Sequence, residues 1–420
     1  MLDVRFVREN PEAVKTAMKN RHADVDVDAI LEPDARRRTL VAEADTLKAE
    51  RNKRSKSIGQ AIKEGGDPAE IKAKVREMGE RISVLDAELR ETDAKLRDAL
   101  LHVPNLPDAS VPVGKDESDN PVVRTWGEKR TFDFEPKSHL ELGEALGMFD
   151  FERGAKVAGS GFPLFRGLGA KLERALIQFM LDLHVEEHGY EEIAPPFLCN
   201  AAAMTGTGQL PKFAEDMYHV PLDGLYPIPT AEVPVTNLYA GEILPELPVR
   251  HAAYTPCFRR EAGAAGKDTR GLLRVHQFDK VELVQFVAPE KSAEVHETLT
   301  GHAETILQRL ELPYRVIELC TGDLGFSAAK CYDLELWAPA QNKWLEVSSC
   351  SNFKDFQARR AGIRYRGADG KPAFVHTLNG SGVALPRLVV ALLENNQNAD
   401  GSVTLPEAIR PYLGGMEKIG

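Results

Sequence analysis

Two arginine-bearing segments carry the side chains of this chain that are best suited to binding phosphate. The first is Phe-Arg-Arg-Glu at residues 258–261, and the second spans residues 380–387. Arginine has a permanent charge and a planar set of donors that matches a phosphate group. Glycines in the second segment let the backbone approach a ligand closely. Two such segments, far apart in the chain, predict a site that holds a triphosphate at both ends through Arg259 and Arg387.

Both segments adjoin apolar runs that would place them in a folded core. These runs predict strands at residues 250–258, 273–287, 314–320, 331–337 and 343–350, and an amphipathic helix at residues 169–188. Short strands without a regular alternation of strand and helix indicate a mainly antiparallel sheet flanked by helices. The sequence contains neither a P-loop nor the glycine fingerprint of a Rossmann fold. We therefore expect an α+β domain with a nucleotide site of another kind.

Composition limits the classes of protein to which this chain can belong. It has 420 residues, of which 43% are apolar and 28% charged, and a net charge of −11. These values are typical of a globular protein with two or three domains, and any site for a polyanion must be a local patch of cations. No apolar run is long enough for a signal peptide or a membrane span. The five cysteines never form Cys-x-x-Cys, so we expect no zinc and a reducing cytoplasm as the location.

The N-terminal third has the pattern of two long helices joined by a tight turn. Residues 34–64 and a second segment ending near residue 101 flank Gly-Gly-Asp-Pro at residues 65–68, a strong turn signal. Both segments place mostly apolar residues at alternating steps of four and three, which predicts an antiparallel coiled-coil hairpin. The positions are Leu40, Ala44, Leu47, Arg51, Arg54, Ile58 and Ala61 in the first segment, and Ile71, Val75, Met78, Ile82, Leu85, Leu89, Thr92, Leu96, Ala99 and Val103 in the second.

The first helix of this hairpin concentrates positive charge. Residues 48–56 contain five cations and one anion, Glu50. The cations are Lys48, Arg51, Lys53, Arg54 and Lys56. One interpretation is a solvated hairpin used for dimerisation. We favour an RNA-binding arm, because Arg51 and Arg54 occupy seam positions that a purely structural coiled coil would avoid, and cations on a rigid rod suit the phosphates of A-form RNA.

The motifs of the whole chain resemble those of bacterial-type seryl-tRNA synthetases, a family of class II aminoacyl-tRNA synthetases. The three class motifs resemble the helix that leads through Gly189-Tyr190 to Pro195, residues 258–261 with 274–278, and residues 380–387. The serine-family signatures are Thr230-Ala231-Glu232, Asp279-Lys280-Val281-Glu282 and Glu346-Val347-Ser348-Ser349. The resemblance implies a tRNA-binding helical domain at residues 1–103, a linker at residues 104–123 and a catalytic domain at residues 124–420.

The resemblance also implies a two-step reaction. L-serine would attack the α-phosphorus of ATP, with Mg²⁺ as cofactor, to form seryl-adenylate and pyrophosphate. A ribose hydroxyl at the 3′ end of tRNA(Ser) would then take the seryl group, with tRNA(Sec) left open as a second acceptor. The family further implies a homodimer, with the first motif at the interface and each arm presenting tRNA to the partner's active site.

Individual residues receive roles from the same resemblance. Arg259 and Arg387 would be catalytic, because they would neutralise the phosphates and the serine carboxylate. Phe278 would stack on adenine and Glu261 would accept a hydrogen bond from the adenine amine. ATP binding is implied for Arg259, Arg260, Glu261, Phe278, Glu346, Val347, Ser348, Ser349 and Arg387, with Glu346 and Ser349 as the Mg²⁺ ligands. Serine binding is implied for Thr230, Ala231, Glu232, Arg259, Glu282 and Ser381, and tRNA binding for Lys48, Arg51, Lys53, Arg54, Lys56, Lys267 and Arg270.

One departure from the family pattern and several alternatives remain at this stage. Ala384 stands where the third motif would have a glycine, and Pro386 precedes the arginine, so the exact shape of that loop is open. A relative that charges a carrier protein would lack the basic hairpin. A non-catalytic RNA-binding paralogue would be expected to lose Arg259, Glu282 or Arg387, and all three are present. An inhibitor-resistant duplicate of the serine enzyme would look the same in sequence.

Overall fold

The computed structural model of the chain describes residues 1–65, 67–262 and 270–420. These residues form two compact units. We call residues 1–19 with 23–104 the helical unit, and residues 20–22 with 105–420 the sheet unit. No helix of the described residues is long and apolar enough to cross a membrane.

The helical unit is dominated by two long helices. Its helices are α1 (Val4–Glu9), α2 (Pro11–Asn20), α3 (Asp28–Lys63) and α4 (Ala69–Leu101). Helices α3 and α4 contain 36 and 33 residues, which corresponds to about 50 Å each at ~1.5 Å per residue. They pack against each other through Leu40, Ala44 and Leu85, which form a buried cluster. All the predicted seam positions are buried or half-buried, so the predicted coiled-coil hairpin is confirmed.

Ion pairs between the two long helices reinforce their antiparallel arrangement. Each pair joins a residue of α3 to a residue of α4. The pairs are Arg36 Nη2–Glu88 Oε2 at 2.6 Å, Arg37 Nε–Asp93 Oδ1 at 2.6 Å, Lys48 Nζ–Asp86 Oδ1 at 2.9 Å and Arg81 Nη2–Glu43 Oε1 at 2.7 Å. Exposed pairs of this type contribute little individually. Their value here is that they favour one register of the two helices.

The sheet unit contains eight helices and fifteen strands among the described residues. The helices are α5 (His139–Ala145), α6 (Phe151–Ala158), α7 (Leu168–Glu186), α8 (Ala201–Thr207), α9 (Glu232–Asn237), α10 (Ser292–Arg309), α11 (Phe356–Ala361) and α12 (Leu385–Asn396). The strands are β1 (Val122–Trp126), β2 (Glu191–Glu192), β3 (Leu198–Asn200), β4 (Leu225–Pro227), β5 (Ile243–Leu244), β6 (Val249–Phe258), β7 (Gln277–Val287), β8 (Tyr314–Glu318), β9 (Lys330–Ala338), β10 (Lys343–Lys354), β11 (Arg364–Arg366), β12 (Pro372–Phe374), β13 (His376–Ala384), β14 (Val403–Thr404) and β15 (Lys418–Ile419).

The largest sheet is mainly antiparallel, as predicted. Its strand order is β1-β8-β9-β10-β13-β7-β6-β2, and only the short β2 pairs in parallel, with β6. The main core lies between this sheet and helices α7, α10 and α12, which contribute Leu176, Ile306 and Leu392 among others. The α+β fold class is therefore confirmed.

Strand β7 separates the core from the functional face of the sheet. Val281 and Leu283 belong to the main core, whereas Phe278, Lys280 and Glu282 line a cavity on the other face. Successive side chains of a strand point to opposite faces. The polar residues at alternate positions therefore reach the cavity, while the apolar residues between them anchor the strand.

The predicted strand at residues 273–287 begins later than expected, at Gln277. The residues before it use their backbone groups elsewhere. Gly271 has φ +64°, the Leu273 carbonyl accepts from Arg387 Nε at 3.1 Å, and the His276 amide donates to the Gly161 carbonyl at 2.8 Å. These contacts withdraw the segment from the strand ladder, although its composition is strand-like.

Candidate active site

One cavity of about 680 Å³ in the sheet unit collects most of the predicted ATP and serine residues. Those that line it are Thr230, Glu232, Arg259, Glu261, Phe278, Glu282, Glu346, Val347, Ser348, Ser349, Ser381 and Arg387. They come from strands β7, β10 and β13, from the residues at and just before the start of α9, from the residues after β6, and from the first turn of α12. Segments distant in sequence therefore meet at one site.

Three predicted site residues of the sheet unit do not line this cavity, and a fourth lies outside the residues that the structure describes. Ala231 is fully buried in a hydrophobic cluster, because it lies between the two cavity-facing residues of its signature. Arg260 is exposed, and its amide donates to the Asp216 carbonyl at 3.1 Å. Arg270 is also exposed and lies outside the lining. Lys267 falls outside the described residues.

Arg259 is held at the cavity by neutral partners. Its Nε donates to the Pro229 carbonyl at 3.4 Å, and its guanidinium lies 5.1 Å from the centre of the Phe278 ring. His276 braces the same residue through two hydrogen bonds. The Arg259 amide donates to the His276 carbonyl at 2.9 Å, and His276 Nδ1 donates to the Arg259 carbonyl at 3.0 Å. His276 thus acts on the backbone of the arginine, and the guanidinium has no carboxylate partner among the described residues.

Arg387 also lines the cavity and lies in the first turn of α12. Its Nε and Nη1 donate to the carbonyls of Leu273 at 3.1 Å and Glu346 at 2.9 Å. The Glu346 carboxylate is farther away, at 3.6 Å from Nη1. The unsatisfied amides at the start of a helix add partial positive charge. The part of the cavity around Arg387 is therefore suited to an anion.

The backbone between Ser381 and Arg387 is irregular. The pairing of β13 with β7 shifts between Ser381 and Ala384, and Val383 has φ +107° although it is β-branched. Such a residue is uncommon in this region and indicates strain. A Cβ on Gly382 would lie 2.7 Å from Nε2 of His184. The bulge and the close approach at Gly382 determine how the third motif enters α12.

A cluster of buried polar side chains lines part of the cavity. Lys280 Nζ donates to Thr230 Oγ1 at 2.8 Å and forms an ion pair with Glu282. Thr230 Oγ1 donates to Glu282 Oε2 at 3.2 Å. All three side chains are buried. From the sequence, Lys280 was assigned only to a signature motif and was given no role. Because Lys280 precedes Glu282 by two residues on a strand, its side chain could have been predicted to lie on the same face of the sheet as that of Glu282.

Glu232 lies beside this cluster and has an unusual acidity. Its Oε1 accepts from Gln357 Nε2 at 2.5 Å. Burial and the negative charge of Glu282 raise the pKa of Glu232 to about 7, against the opposing effects of Gln357 and Lys280. An incoming ammonium would offset this accumulation of negative charge. The corner is therefore suited to a ligand that carries a cation and hydrogen-bonding groups.

Glu261 is positioned by a partner that the sequence analysis gave no role. Its carboxylate forms an ion pair with Arg274, and its backbone has φ +52°. Both residues line the cavity. Glu261 precedes residues 263–269 and Arg274 follows them, so this pair connects the described residues on the two sides of that segment.

The predicted metal ligands Glu346 and Ser349 lie on β10 on either side of a register shift. Ser349 Oγ contacts Cys331 Sγ at 3.1 Å, and the Glu346 side chain is 49% exposed. A carboxylate and a hydroxyl are hard oxygen donors of the kind that Mg²⁺ prefers, and two protein ligands are enough when a nucleotide and water supply the rest. These residues therefore fit a magnesium ion shared with ATP phosphates.

The predicted RNA-binding cations of α3 differ in their partners. Lys48 pairs with Asp86, and Arg54 pairs with Glu50 at 2.7 Å. Within the described part of the chain, the other three have no carboxylate partner. These three are Arg51, Lys53 and Lys56.

A mainly antiparallel sheet with a cavity lined by Arg259 and Arg387 is the arrangement expected of a class II aminoacyl-tRNA synthetase, and the comparisons agree. Residues 219–396 match the family described as tRNA synthetase class II core domain (G, H, P, S and T). Residues 1–107 match the Seryl-tRNA synthetase N-terminal domain. The chain belongs to the seryl-tRNA synthetase family.

Relatives of this chain match over its full length. It is 58% identical to the serine–tRNA ligase of Acidithiobacillus ferrooxidans and 57% identical to that of Citrifermentans bemidjiense, with 100% of each chain covered. Among solved structures, the seryl-tRNA synthetase of Pyrococcus horikoshii complexed with ATP is 42% identical with a TM-score of 0.92, covering 100% of this chain and 99% of that one. The cytoplasmic enzyme of Naegleria fowleri in complex with AMP is 30% identical with a TM-score of 0.88, covering 100% and 98%.

The protein is accordingly an ATP-dependent enzyme that activates serine and charges tRNA(Ser). A carrier-protein ligase and a non-catalytic paralogue are not favoured, because the full-length relatives are serine–tRNA ligases.

Proposed function

We propose that the cavity holds ATP and serine side by side, so that the serine carboxylate attacks the α-phosphorus in line with the departing pyrophosphate. The observation that carries this proposal is the convergence of Arg259, Arg387 and the Thr230–Glu282 corner on one 680 Å³ space. The first step requires positioning of two anions and neutralisation of their charge rather than a protein acid or base.

The two arginines would act as electrostatic catalysts. Arg259 would lie between the α-phosphate and the serine carboxylate, which otherwise repel each other, and Arg387 would bind the γ-phosphate. This assignment is supported by their partners, because backbone carbonyls hold both guanidinium groups and the one carboxylate recorded near them among the described residues, that of Glu346, lies 3.6 Å from Arg387 Nη1. Positive charge is thus available where negative charge develops.

Several residues would bind the rest of the nucleotide. Phe278 would stack on adenine and Glu261 would accept from the adenine amine, held in place by Arg274. Glu346 and Ser349 would hold Mg²⁺, which screens phosphate charge when bound. Arg260, Val347 and Ser348 would contact ATP mainly through their backbone groups. The Arg260 side chain is exposed to solvent, the Val347 side chain is buried, and Ser348 Oγ already donates to the Ser381 carbonyl at 2.6 Å.

The amino acid would bind at the buried corner. Thr230, Glu232 and Glu282 would receive the serine ammonium and hydroxyl, and Ser381 would close the site from β13. Ala231 would contribute only by packing. Two carboxylates facing one cavity favour a ligand with a positive charge, and a fixed hydrogen-bonding group selects a hydroxyl.

The helical unit would supply the tRNA contacts. In this proposal residues 1–103 form the tRNA-binding domain, residues 104–123 the linker and residues 124–420 the catalytic domain. Arg51, Lys53 and Lys56 would be the strongest phosphate contacts, since carboxylates already engage Lys48 and Arg54. Arg270 and Lys267 would meet the acceptor end.

Three further features belong to the proposal. The enzyme would be a homodimer, and it would act in the cytoplasm, where charged tRNA is used. tRNA(Sec) would be a second acceptor. A solved structure with a related fold, the complex of A. aeolicus tRNASec with M. kandleri SerRS, is 18% identical to this chain and contains that kind of tRNA.

Amino-acid-dependent ATP–pyrophosphate exchange tests the site assignment without tRNA. We expect exchange with serine and little with alanine, threonine, glycine or cysteine. Arg259→Ala should abolish the exchange while the melting temperature stays near that of the wild type. Retained exchange in Arg259→Ala would refute the role given to this arginine.

A further inference from the structure

Lys280 lies at the centre of the proposed serine site without a role in it. It is 5% exposed and lines the cavity. A buried ammonium is costly unless it is paired, and this one has two partners. Its Nζ donates to Thr230 Oγ1 at 2.8 Å and forms an ion pair with Glu282. Both partners belong to the proposed serine-binding set.

These contacts leave the two carboxylate oxygens of Glu282 with different surroundings. Oε2 contacts Lys280 Nζ and lies 3.2 Å from Thr230 Oγ1. Oε1 has no hydrogen-bond partner within the part of the chain that the structure describes. Because an ammonium only donates, Thr230 must accept from Lys280, and the hydrogen of its hydroxyl points to Glu282. Lys280 therefore fixes the direction of one hydroxyl and the orientation of one carboxylate.

We propose that Lys280 is a positioning residue for serine selectivity, which holds Oε2 of Glu282 so that Oε1 faces the substrate hydroxyl. This inference rests on the proposed serine site and extends it by naming the group that aligns that site. A site rejects an analogue without the hydroxyl when its own polar groups are held in place and left unpaired. Lys280 thus contributes to the rejection of alanine without touching the reacting atoms.

The charges around the site support this assignment. Glu232 on α9 and Glu282 on β7 face the cavity, Arg259 directly follows β6, and the buried Cys257 thiol of β6 interacts electrostatically with Lys280 and Glu282. Lys280 opposes the rise in the pKa of Glu232 that burial and Glu282 cause. Without this ammonium, two carboxylates would share the corner, and one of them would retain a proton to a higher pH.

The test compares Lys280→Met with Lys330→Met in ATP–pyrophosphate exchange with serine and with alanine. Lys330 is a matched control, because it also pairs with a glutamate, Glu318 at 3.2 Å, but lies outside the cavity lining. For Lys280→Met we expect kcat/KM for serine to fall about 100-fold and that for alanine much less, so that discrimination falls by about tenfold or more. Lys330→Met should leave discrimination unchanged.

A pH profile adds a readout that a purely structural role would not move. The acid limb of kcat/KM for serine should shift to higher pH in Lys280→Met, and ethylammonium should partly restore Lys280→Ala. Unchanged discrimination in Lys280→Met would overturn the inference. It would also be overturned if both Lys280→Met and Lys280→Gln bound ATP weakly and melted at a clearly lower temperature. Lys280 would then be needed for the fold rather than for positioning Glu282. Absence of serine-dependent exchange in the wild type would instead refute the proposed site itself.

Discussion

The arginines that join the two long helices and the two arginines of the cavity have different partners. In the helical unit, Arg36 and Arg37 meet carboxylates of the facing helix at 2.6 Å, and Arg81 does so at 2.7 Å. In the sheet unit, Arg259 and Arg387 are held by backbone carbonyls, and the nearest carboxylate to Arg387 lies at 3.6 Å. A carboxylate cancels the charge of an arginine, whereas a carbonyl orients the side chain and leaves its charge in place.

This difference separates cations that support the fold from cations that can bind an anion. The distinction also divides the arm itself. Lys48 and Arg54 have carboxylate partners, whereas Arg51, Lys53 and Lys56 have none among the described residues. We therefore expect the second group to resemble the cavity arginines in function, although they lie on a coiled coil.

The largest effect is expected at the cavity. Arg387→Ala should reduce serine-dependent ATP–pyrophosphate exchange by about 1,000-fold, because a positioned cation at a developing charge is lost. Arg37→Ala removes an arginine paired with Asp93 and should leave exchange unchanged. Initial exchange rates at saturating serine measure both. If Arg387→Ala and Arg37→Ala lost exchange activity equally, the kind of group that an arginine contacts, carbonyl or carboxylate, would not predict its function.

Charge reversal in the arm should have the next largest effect. Arg51→Glu combined with Arg54→Glu should lower the rate of tRNA charging by about 100-fold at moderate salt, because phosphate contacts are lost and repulsion is introduced. Exchange without tRNA should be unaffected. The charge-preserving pair Arg51→Lys and Arg54→Lys is the control and should retain charging. A parallel loss of both activities in the reversed variant would show that the arm is structural.

Loss of the stacking ring should affect one substrate only. Phe278→Leu should raise the KM for ATP by about tenfold, since stacking of a base on an aromatic ring contributes about 1–3 kcal/mol. The KM for serine should change little. Exchange kinetics with each substrate varied in turn will measure both constants. If the KM values for serine and ATP rose together, Phe278 would support the cavity as a whole.

The smallest effect concerns Glu173, for which no ion pair is recorded among the described residues. Burial and Asp279 raise the pKa of Glu173 to about 8. The folded protein therefore binds this proton more tightly than the unfolded chain, and stability falls as pH rises between about 4.5 and about 8. Glu173→Gln cannot ionise, so its melting temperature should exceed that of the wild type by an increasing margin, reaching a few degrees near the upper limit.

Melting curves across this pH range test the point. The exposed Glu77 provides a control, since Glu77→Gln should give a difference from the wild type that does not change with pH. A constant difference for Glu173→Gln would indicate that Glu173 is ionised in the folded protein.

Much of the fold could be predicted from local patterns. The steps of four and three along α4 placed Ile82, Leu85 and Leu96 in the interface of the hairpin, and all three are buried there. Strands β6 to β10 were found within a few residues. The start of β7 was wrong because Gly271 and contacts to other segments remove the preceding residues from the ladder, and no local pattern reports such contacts.

The cavity could be predicted from local patterns only in part. Its glutamates received their roles from a family resemblance, whereas Arg259 and Arg387 were also predicted from side-chain chemistry, and all of these roles remain predictions. The ion pairs of Lys280 with Glu282 and of Arg274 with Glu261 were missed. Each depends on strand alternation or on a positive φ, and neither property is visible in residue type alone.

Residue order and spacing were enough to predict the helical hairpin and the mainly antiparallel sheet, which the structure confirms, and to single out Arg259 and Arg387 as candidate phosphate-binding residues, because periodicity and side-chain chemistry are local properties. The partners of those side chains were decided by the tertiary structure. Register shifts in β10 and β13 set which residues face the cavity, and packing from distant segments determines whether a cation meets a carboxylate or a carbonyl. These contacts join residues far apart in the chain, so they form only when the sheet assembles and cannot be read from local sequence patterns.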